Sequence, residues 1–194
     1  AQSQAKAGRP VESPKEGHLI ESLTVTSKIA VGGGLKGLKM GKDDAGMGNH
    51  VHVILDNQPY AAHYMWDEGF ELRNDTDGEH TIRMFPSRPW HQSYKNEGAF
   101  KMIRFTVKND RGNTMADPKA EEDKAEEVEV EESTAGNVDA SKPLLTYSRP
   151  KGDYKGDDAN AIMVDFWLSN AQLTGDGGQY KIRCTINDGS PIMI

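Results

Sequence analysis

The chain has 194 residues, enough for one large domain or two small ones, and 36% of them are hydrophobic, enough to supply a core. The net charge of −7 is concentrated in residues 110–142, where 11 acidic residues stand against 4 basic ones, so the rest of the chain is formally neutral. That distribution argues against a nucleic-acid-binding protein, because binding to phosphates needs a basic surface.

The chain begins at Ala1 rather than Met, and its first residues are typical of the product of signal-peptidase cleavage. We therefore expect an exported protein of the periplasm or the extracellular space, although an engineered start would look similar. The single cysteine, Cys184, can form no internal disulfide. No apolar run reaches the ~20 residues that cross a bilayer, so we expect no transmembrane segment of its own.

Residues 1–20 are polar, contain Pro and Gly, and lack periodicity, which predicts an extended N-terminal arm. Residues 21–109 then alternate apolar and polar positions in short segments separated by turn residues. The alternation predicts strands at 23–31, 50–55, 60–64, 70–72, 79–85 and 99–107. This number and spacing of strands is typical of an all-β protein with an immunoglobulin-like β-sandwich.

Residues 110–143 hold the acidic run and few bulky apolar residues, so they cannot bury a core and predict a flexible linker. A short exposed helix over residues 117–127 is the alternative, because that stretch is rich in Ala, Glu and Lys. Strands are predicted again at 162–168 and 180–186, followed by a turn at 187–189 and a strand that begins at 191.

Residues 182–188 repeat the pattern of residues 51–57: each is a strand that runs into a turn of Asp and Asn, followed by Pro and a second apolar strand. Residues 144–194 therefore predict a second, related sandwich unit that is incomplete. Chance similarity between two hairpins is the alternative. We expect that the chain continues past Ile194, that a partner strand completes the unit, or that the incomplete unit docks on the first sandwich.

Three histidines form the main candidate for chemistry. His50 and His52 stand two residues apart on one strand, so their side chains share a face, and His63 lies on the returning strand of the same hairpin. This spacing suits Cu or Zn, with His80 and His91 as further candidates. The competing interpretation is that the histidines are the solvent-exposed side of an amphipathic strand whose valines face the core.

No catalytic residues are predicted. Ser87, Ser93 and Ser148 lie in loops without a nucleophile elbow, and Cys184 takes the place of Val53 in the repeat, which favours a small core residue over a reactive thiol. We therefore expect a protein that is not an enzyme and carries no cofactor, with Cu or Zn as the alternative.

The loop at residues 86–96 is the predicted protein-binding surface. It combines residue types that dominate interface energetics and holds them on a connection that contains two prolines. Its predicted partner-binding residues are Arg88, Trp90, His91 and Tyr94. The alternative is that Trp90 folds back onto its own domain.

Five motifs together carry a resemblance to a known group of proteins: GNHVHVILDNQPY (48–60), GEHTIR (78–83), SRPWHQS (87–93), KNEGAF (95–100) and LLTYSRPKG (144–152). They resemble uncharacterised exported or lipid-anchored envelope proteins of the cyanobacterial type. The resemblance covers about residues 45–194. It implies tandem immunoglobulin-like units, the second continuing past Ile194, and it supplies no catalytic residues. The chain departs from the lipid-anchored members because it shows no N-terminal Cys to acylate.

These observations predict a non-catalytic extracytoplasmic binding or scaffolding protein. The resemblance implies an accessory subunit docked on the outer face of a membrane protein complex, photosynthetic or respiratory. The alternatives are a periplasmic Cu- or Zn-binding protein that uses His50, His52 and His63, and a carbohydrate-binding protein that stacks sugars on exposed aromatic side chains.

Overall fold

A computed structural model describes residues 18–21, 26–29, 39–65, 70–73, 77–108 and 138–194. These residues contain strands, turns and two 3₁₀ segments but no α-helix, so the predicted all-β class is confirmed. The chain divides into two units, Ala1–Val138 and Asp139–Ile194. Most of the predicted linker, its alternative helix and most of the predicted arm lie outside the described residues and stay predictions.

The described residues of the first unit form seven strands. Five of them form one sheet in the order β1-β7-β6-β3-β4, in which only the β1–β7 pair is parallel, while β2 and β5 form a separate antiparallel pair. Strand β1 includes residues 18–20, which the sequence assigned to the arm. The strands are β1 His18–Glu21, β2 Thr26–Ile29, β3 His50–Leu55, β4 Ala61–His63, β5 Phe70–Arg73, β6 Gly78–Ser87 and β7 Lys101–Lys108.

One face of the five-stranded sheet holds the hydrophobic core of this unit. Alternation along β3, β6 and β7 places every second side chain on that face, as the period of a strand requires. Strand β7 turns Phe105 to the core and Met102 to the other side. The buried core residues are Val51, Val53, Leu55, Ile82, Met84, Ile103, Phe105 and Val107.

Strand β6 runs through Pro86, where the sequence predicted a loop. Pro86 lies opposite Val51 of β3 and beyond the last residue of β6 that pairs with β7. Its carbonyl accepts a hydrogen bond from the Tyr94 amide, 3.0 Å away, on the side away from β3. Because the N–H and C=O of one strand residue point to the same side, the missing N–H of Pro86 interrupts no bond to β3.

The second unit contains four short strands, β8 Leu144–Arg149, β9 Asp165–Ser169, β10 Arg183–Cys184 and β11 Ile192–Met193, which pair as β8–β9 and β10–β11. Two 3₁₀ segments, Gly156–Asn160 and Thr174–Asp176, lie between them. The β8–β9 pair is fixed internally by Ser148, whose hydroxyl donates to the backbone carbonyl of Asp165, 3.0 Å away.

The β10–β11 hairpin repeats the β3–β4 hairpin at a constant offset of 131 residues. Val53 pairs with Ala61 in the first hairpin, and Cys184 pairs with Ile192 in the second. Both turns pass through a residue with left-handed backbone, Asp56 (φ 54°) and Asn187 (φ 50°). The two copies differ in burial, because the apolar residues Ile186, Ile192, Met193 and Ile194 are exposed, whereas strand β3 is buried throughout.

Candidate functional site

The face of the sheet opposite the core carries His50 and His52. Their neighbours across the β3–β6 pair are Ser87 and Phe85, in that order. Both histidines have an exposed fraction of 0%. The interpretation of these histidines as the solvent side of an amphipathic strand is therefore wrong, because both faces of β3 are covered.

The loop that follows β6 doubles back on the end of that strand and brings His91 to the histidine face. An isolated bridge joins Ser87 to Ser93, and the Arg88 amide donates to the carbonyl of Gln92, 2.9 Å away. Within this turn His91 has a φ of 69°. Left-handed backbone at a residue other than Gly costs about 1 kcal/mol and persists where surrounding contacts impose it.

Three imidazole nitrogens converge at this point. His50 Nε2 lies 3.1 Å from His52 Nε2 and 2.9 Å from His91 Nδ1. The ligand atoms of all three histidines lie within 4.8 Å of one another. Nitrogens bound to one tetrahedral ion at about 2.0–2.1 Å are separated by roughly 3.3 Å, so the two separations from His50 Nε2 are close to those of a metal site.

The backbone of Gly48 fixes the proton arrangement of His50. The Nδ1 of His50 lies 2.8 Å from the Gly48 carbonyl, which only accepts, so Nδ1 carries the hydrogen and the lone pair of the neutral ring lies on Nε2. A side chain at position 48 is excluded, because its Cβ would lie 1.6 Å from the carbonyl oxygen of Gly41. This is the outer-shell arrangement that orients histidine ligands in metal sites.

Aromatic rings form the walls around the three histidines. Tyr60 stacks on His52 with 3.7 Å between ring centroids and 17° between planes, and Tyr64 lies against His50 at 4.8 Å. Phe85 meets His52 edge-on at 5.4 Å. Rings on several sides lower the local dielectric constant and strengthen electrostatic interactions inside the site.

Arg83 is a buried cation on the same face of β6, opposite Ile54. Burial lowers the pKa of Arg83 from its ordinary value, and the negative charge of Asp56 acts in the opposite direction. One guanidinium nitrogen, Nη1, donates to Asn57 Oδ1, 3.2 Å away. Arginine stays charged in proteins, so Arg83 places a buried, fixed positive charge on this face.

The predicted ligand set requires one correction. His63 pairs with Val51, so its side chain lies on the core side of the sheet, and it is not one of the three histidines that converge. The third histidine of the cluster is His91, which was predicted both as a partner-binding residue and as a further metal candidate. The other candidate, His80, lies on the core side too, with its Nδ1 2.8 Å from Asp56 Oδ2.

The four predicted partner-binding residues are in different environments. Trp90 is 57% exposed and donates from Nε1 to Gln92 Oε1, 3.2 Å away. Tyr94 is buried, and its hydroxyl donates to Asn49 Oδ1 at 3.3 Å. The guanidinium of Arg88 lies 4.2 Å from the centre of the Tyr94 ring and 5.8 Å from that of Trp90. The alternative in which Trp90 is folded onto its own domain is therefore wrong.

Sequence reasoning missed Gly48 and Tyr60. Both belong to the longest motif quoted above, but their roles depend on a close backbone approach and a ring stack that spacing does not reveal. Comparison with protein-family models, with curated proteins and with solved structures finds no match to this chain. Among the described residues, no helix is both long enough and apolar enough to cross a membrane.

Proposed function

We propose that the first unit binds a transition-metal ion of the copper or zinc class through His50, His52 and His91, within an exported protein that is not an enzyme. The observation that carries the proposal is the convergence of three imidazole nitrogens, with separations of 3.1 Å and 2.9 Å from His50 Nε2. Three histidine nitrogens are a recurrent ligand set for such ions.

A bound cation explains an arrangement that hydrogen bonds alone leave strained. The neutral His50 ring has one lone pair, on Nε2, yet ring nitrogens of two other histidines lie within 3.1 Å of it. One lone pair accepts one N–H well. A cation placed between the rings would instead satisfy a lone pair from each of them.

The chemistry of the donors selects the class of ion. Imidazole nitrogen is a borderline ligand that suits Zn, Cu, Fe and Ni, whereas Ca²⁺ and Mg²⁺ require oxygen ligands. Among divalent first-row metal ions, the affinity of such a site is highest for Cu²⁺ and is lower for Zn²⁺. Copper and zinc are therefore the ions to test first.

Calorimetric titration of the metal-free protein with Zn²⁺ and with Cu²⁺ tests the proposal. We expect one equivalent to bind, and we expect H91A to weaken binding by more than the 10–100-fold that loss of an outer-shell partner causes. H63A is the matched control, because His63 lies on the same hairpin but faces the core. Equal affinity in H91A and wild type, or no binding by wild type at micromolar metal, would contradict the proposal.

A second candidate function is protein contact through the loop that carries Trp90. The supporting observation is a tryptophan that is 57% exposed beside a ring-stacked arginine, a pair of residue types enriched at interface hot spots. We propose, as the resemblance implies, docking on the outer face of a membrane complex, photosynthetic or respiratory. Co-migration of the native protein with such a complex, lost in W90A, would support this, and a free monomer in both would count against it.

We also propose that the first unit is an immunoglobulin-like sandwich and that the second unit is related to it. The core face of the five-stranded sheet supports the first part, because a face of that kind needs cover from a second layer. The constant offset of 131 residues between the two hairpins supports the second part. An experimental structure that shows a single uncovered sheet in the first unit would contradict the sandwich.

A further inference from the structure

Tyr60 places a hydroxyl oxygen beside the nitrogens that converge. The residue follows the turn between β3 and β4, and only 4% of its surface is exposed. Its Oη lies 3.2 Å from His91 Nδ1. Its ring is stacked on His52 with 3.7 Å between centroids, and this stack fixes the position of the oxygen. Tyr60 therefore contacts two of the proposed ligands, His52 through its ring and His91 through its hydroxyl.

His91 Nδ1 cannot serve Tyr60 and a metal ion at once. A ring nitrogen that accepts the Tyr60 hydrogen uses the lone pair that a metal would need. When a metal binds this ring nitrogen, the Tyr60 oxygen loses its contact with Nδ1 but remains beside the ion. Its distance of 3.2 Å from Nδ1 is close to the separation of roughly 3.3 Å between two ligands of one tetrahedral ion.

We propose that Tyr60 is the fourth ligand of this site and binds the metal as a phenolate, which rests on the proposed metal-binding function. The ligand set is then three imidazole nitrogens and one anionic oxygen. When Cu²⁺ binds, the copper–oxygen bond forms, the O–H bond of Tyr60 breaks, and the proton passes to solvent without any change in oxidation state. An anionic, hard oxygen ligand favours an oxidised, Lewis-acidic ion, so the site should bind Cu²⁺ in preference to Cu⁺.

Phenolate bound to Cu²⁺ has a visible charge-transfer absorption that imidazole ligands alone do not give. We therefore titrate the metal-free protein with Cu²⁺ and record visible spectra for wild type, Y60F and Y64F. Wild type should develop the band with one equivalent of copper. Y60F should bind copper without the band and with about tenfold weaker affinity, because the phenylalanine keeps the stack on His52 but lacks the oxygen.

Y64F is the matched control, because the Tyr64 ring also packs on a ligand histidine, His50, at 4.8 Å. It should keep the band. A band that survives in Y60F, or that disappears in Y64F and not in Y60F, would overturn the assignment of Tyr60. If Y60F does not fold, resonance Raman spectra of the copper form of wild type decide the matter, since tyrosinate ring modes must be enhanced in the visible band.

The two proposals fail in different ways. Binding of one copper ion by wild type with no visible charge-transfer band overturns the role of Tyr60 and leaves the three-histidine site intact. Absence of Cu²⁺ and Zn²⁺ binding by wild type overturns both.

Discussion

His50 and His52 stand two residues apart on strand β3, both are fully buried, and their Nε2 atoms lie 3.1 Å from each other. Two neutral imidazoles at that distance need a proton or a cation between them, because two lone pairs repel. Strand β3 supplies two of the three nitrogens, and the loop that follows β6 supplies the third. The site therefore depends on the fold of the loop as much as on the histidine spacing.

Metal should stabilise the first unit. A ligand that binds only the native state adds RT ln(1 + [L]/Kd) to the free energy of unfolding, about 2.7 kcal/mol at a concentration of 100 Kd. We expect saturating Zn²⁺ to raise the melting temperature of wild type and of H63A, and EDTA to reverse the change. The same addition should leave H91A unchanged, and a similar rise in H91A would point to binding elsewhere.

Substitution of Gly48 should damage both the fold and the site. The Cβ of G48A would lie 1.6 Å from the Gly41 carbonyl oxygen, so the loop must move and carry with it the acceptor of His50 Nδ1. We expect metal affinity to fall about 10–100-fold, as for other outer-shell partners.

The matched control for this change is G46A. Gly46 has a φ of 75° with open space around the position of a Cβ, so the variant should lose only about 1 kcal/mol of unfolding free energy, from backbone strain. Urea unfolding should show at least twice that loss in G48A. Equal losses would mean that the loop accommodates the methyl group.

Asp56 should matter to the stability of the fold and not to metal binding. Its carboxylate oxygens contact His80 Nδ1 at 2.8 Å and accept the Thr81 amide at 2.9 Å, both buried. D56A removes both of these buried contacts and should lower the free energy of unfolding by about 3 kcal/mol. D56N, which keeps an acceptor, should lose less. Zn²⁺ affinity should stay within twofold of wild type in both, and a larger change would link this pair to the site.

Trp90 and Tyr94 should differ in their effect on stability although they lie in one loop. W90A removes a side chain that is 57% exposed and should change the free energy of unfolding by no more than about 0.5 kcal/mol. Y94A removes a buried ring and its hydrogen bond to Asn49, which should cost about 3–5 kcal/mol. Comparable losses in the two variants would show that Trp90 is part of the core.

Strands β3, β6 and β7 were predictable because the alternating apolar residues along each of them face the hydrophobic core, whereas β1 and β8 were not predicted. The extension of β6 through Pro86 was not predictable. A proline ends a strand only where its missing N–H would interrupt a hydrogen bond to the neighbouring strand, and the N–H side of Pro86 faces the loop and not β3. The turn of the β3–β4 hairpin was predictable from Asp56 and the residues after it, and the same left-handed backbone recurs at Asn187.

The candidate site was predictable in part. The spacing of His50 and His52 predicts a shared face, which the structure has. The third histidine of the cluster was predicted only as a further candidate, because nothing in the sequence shows that His63 lies opposite the core residue Val51 or that His91 reaches the site through a turn with left-handed backbone. Contacts between residues that are 41 positions apart, such as those of His50 and His91, depend on the packing of the loop and leave no periodic signal.

Nitrogen-15 NMR of the histidine side chains, recorded with and without one equivalent of Zn²⁺, tests the central claim most directly. Coordination should shift the ring-nitrogen resonances of His50 Nε2, His52 Nε2 and His91 Nδ1, while those of His63 and His80 stay in place. Shifts that include His63 but leave His91 unaffected, or no shift in any of the three, would contradict the account.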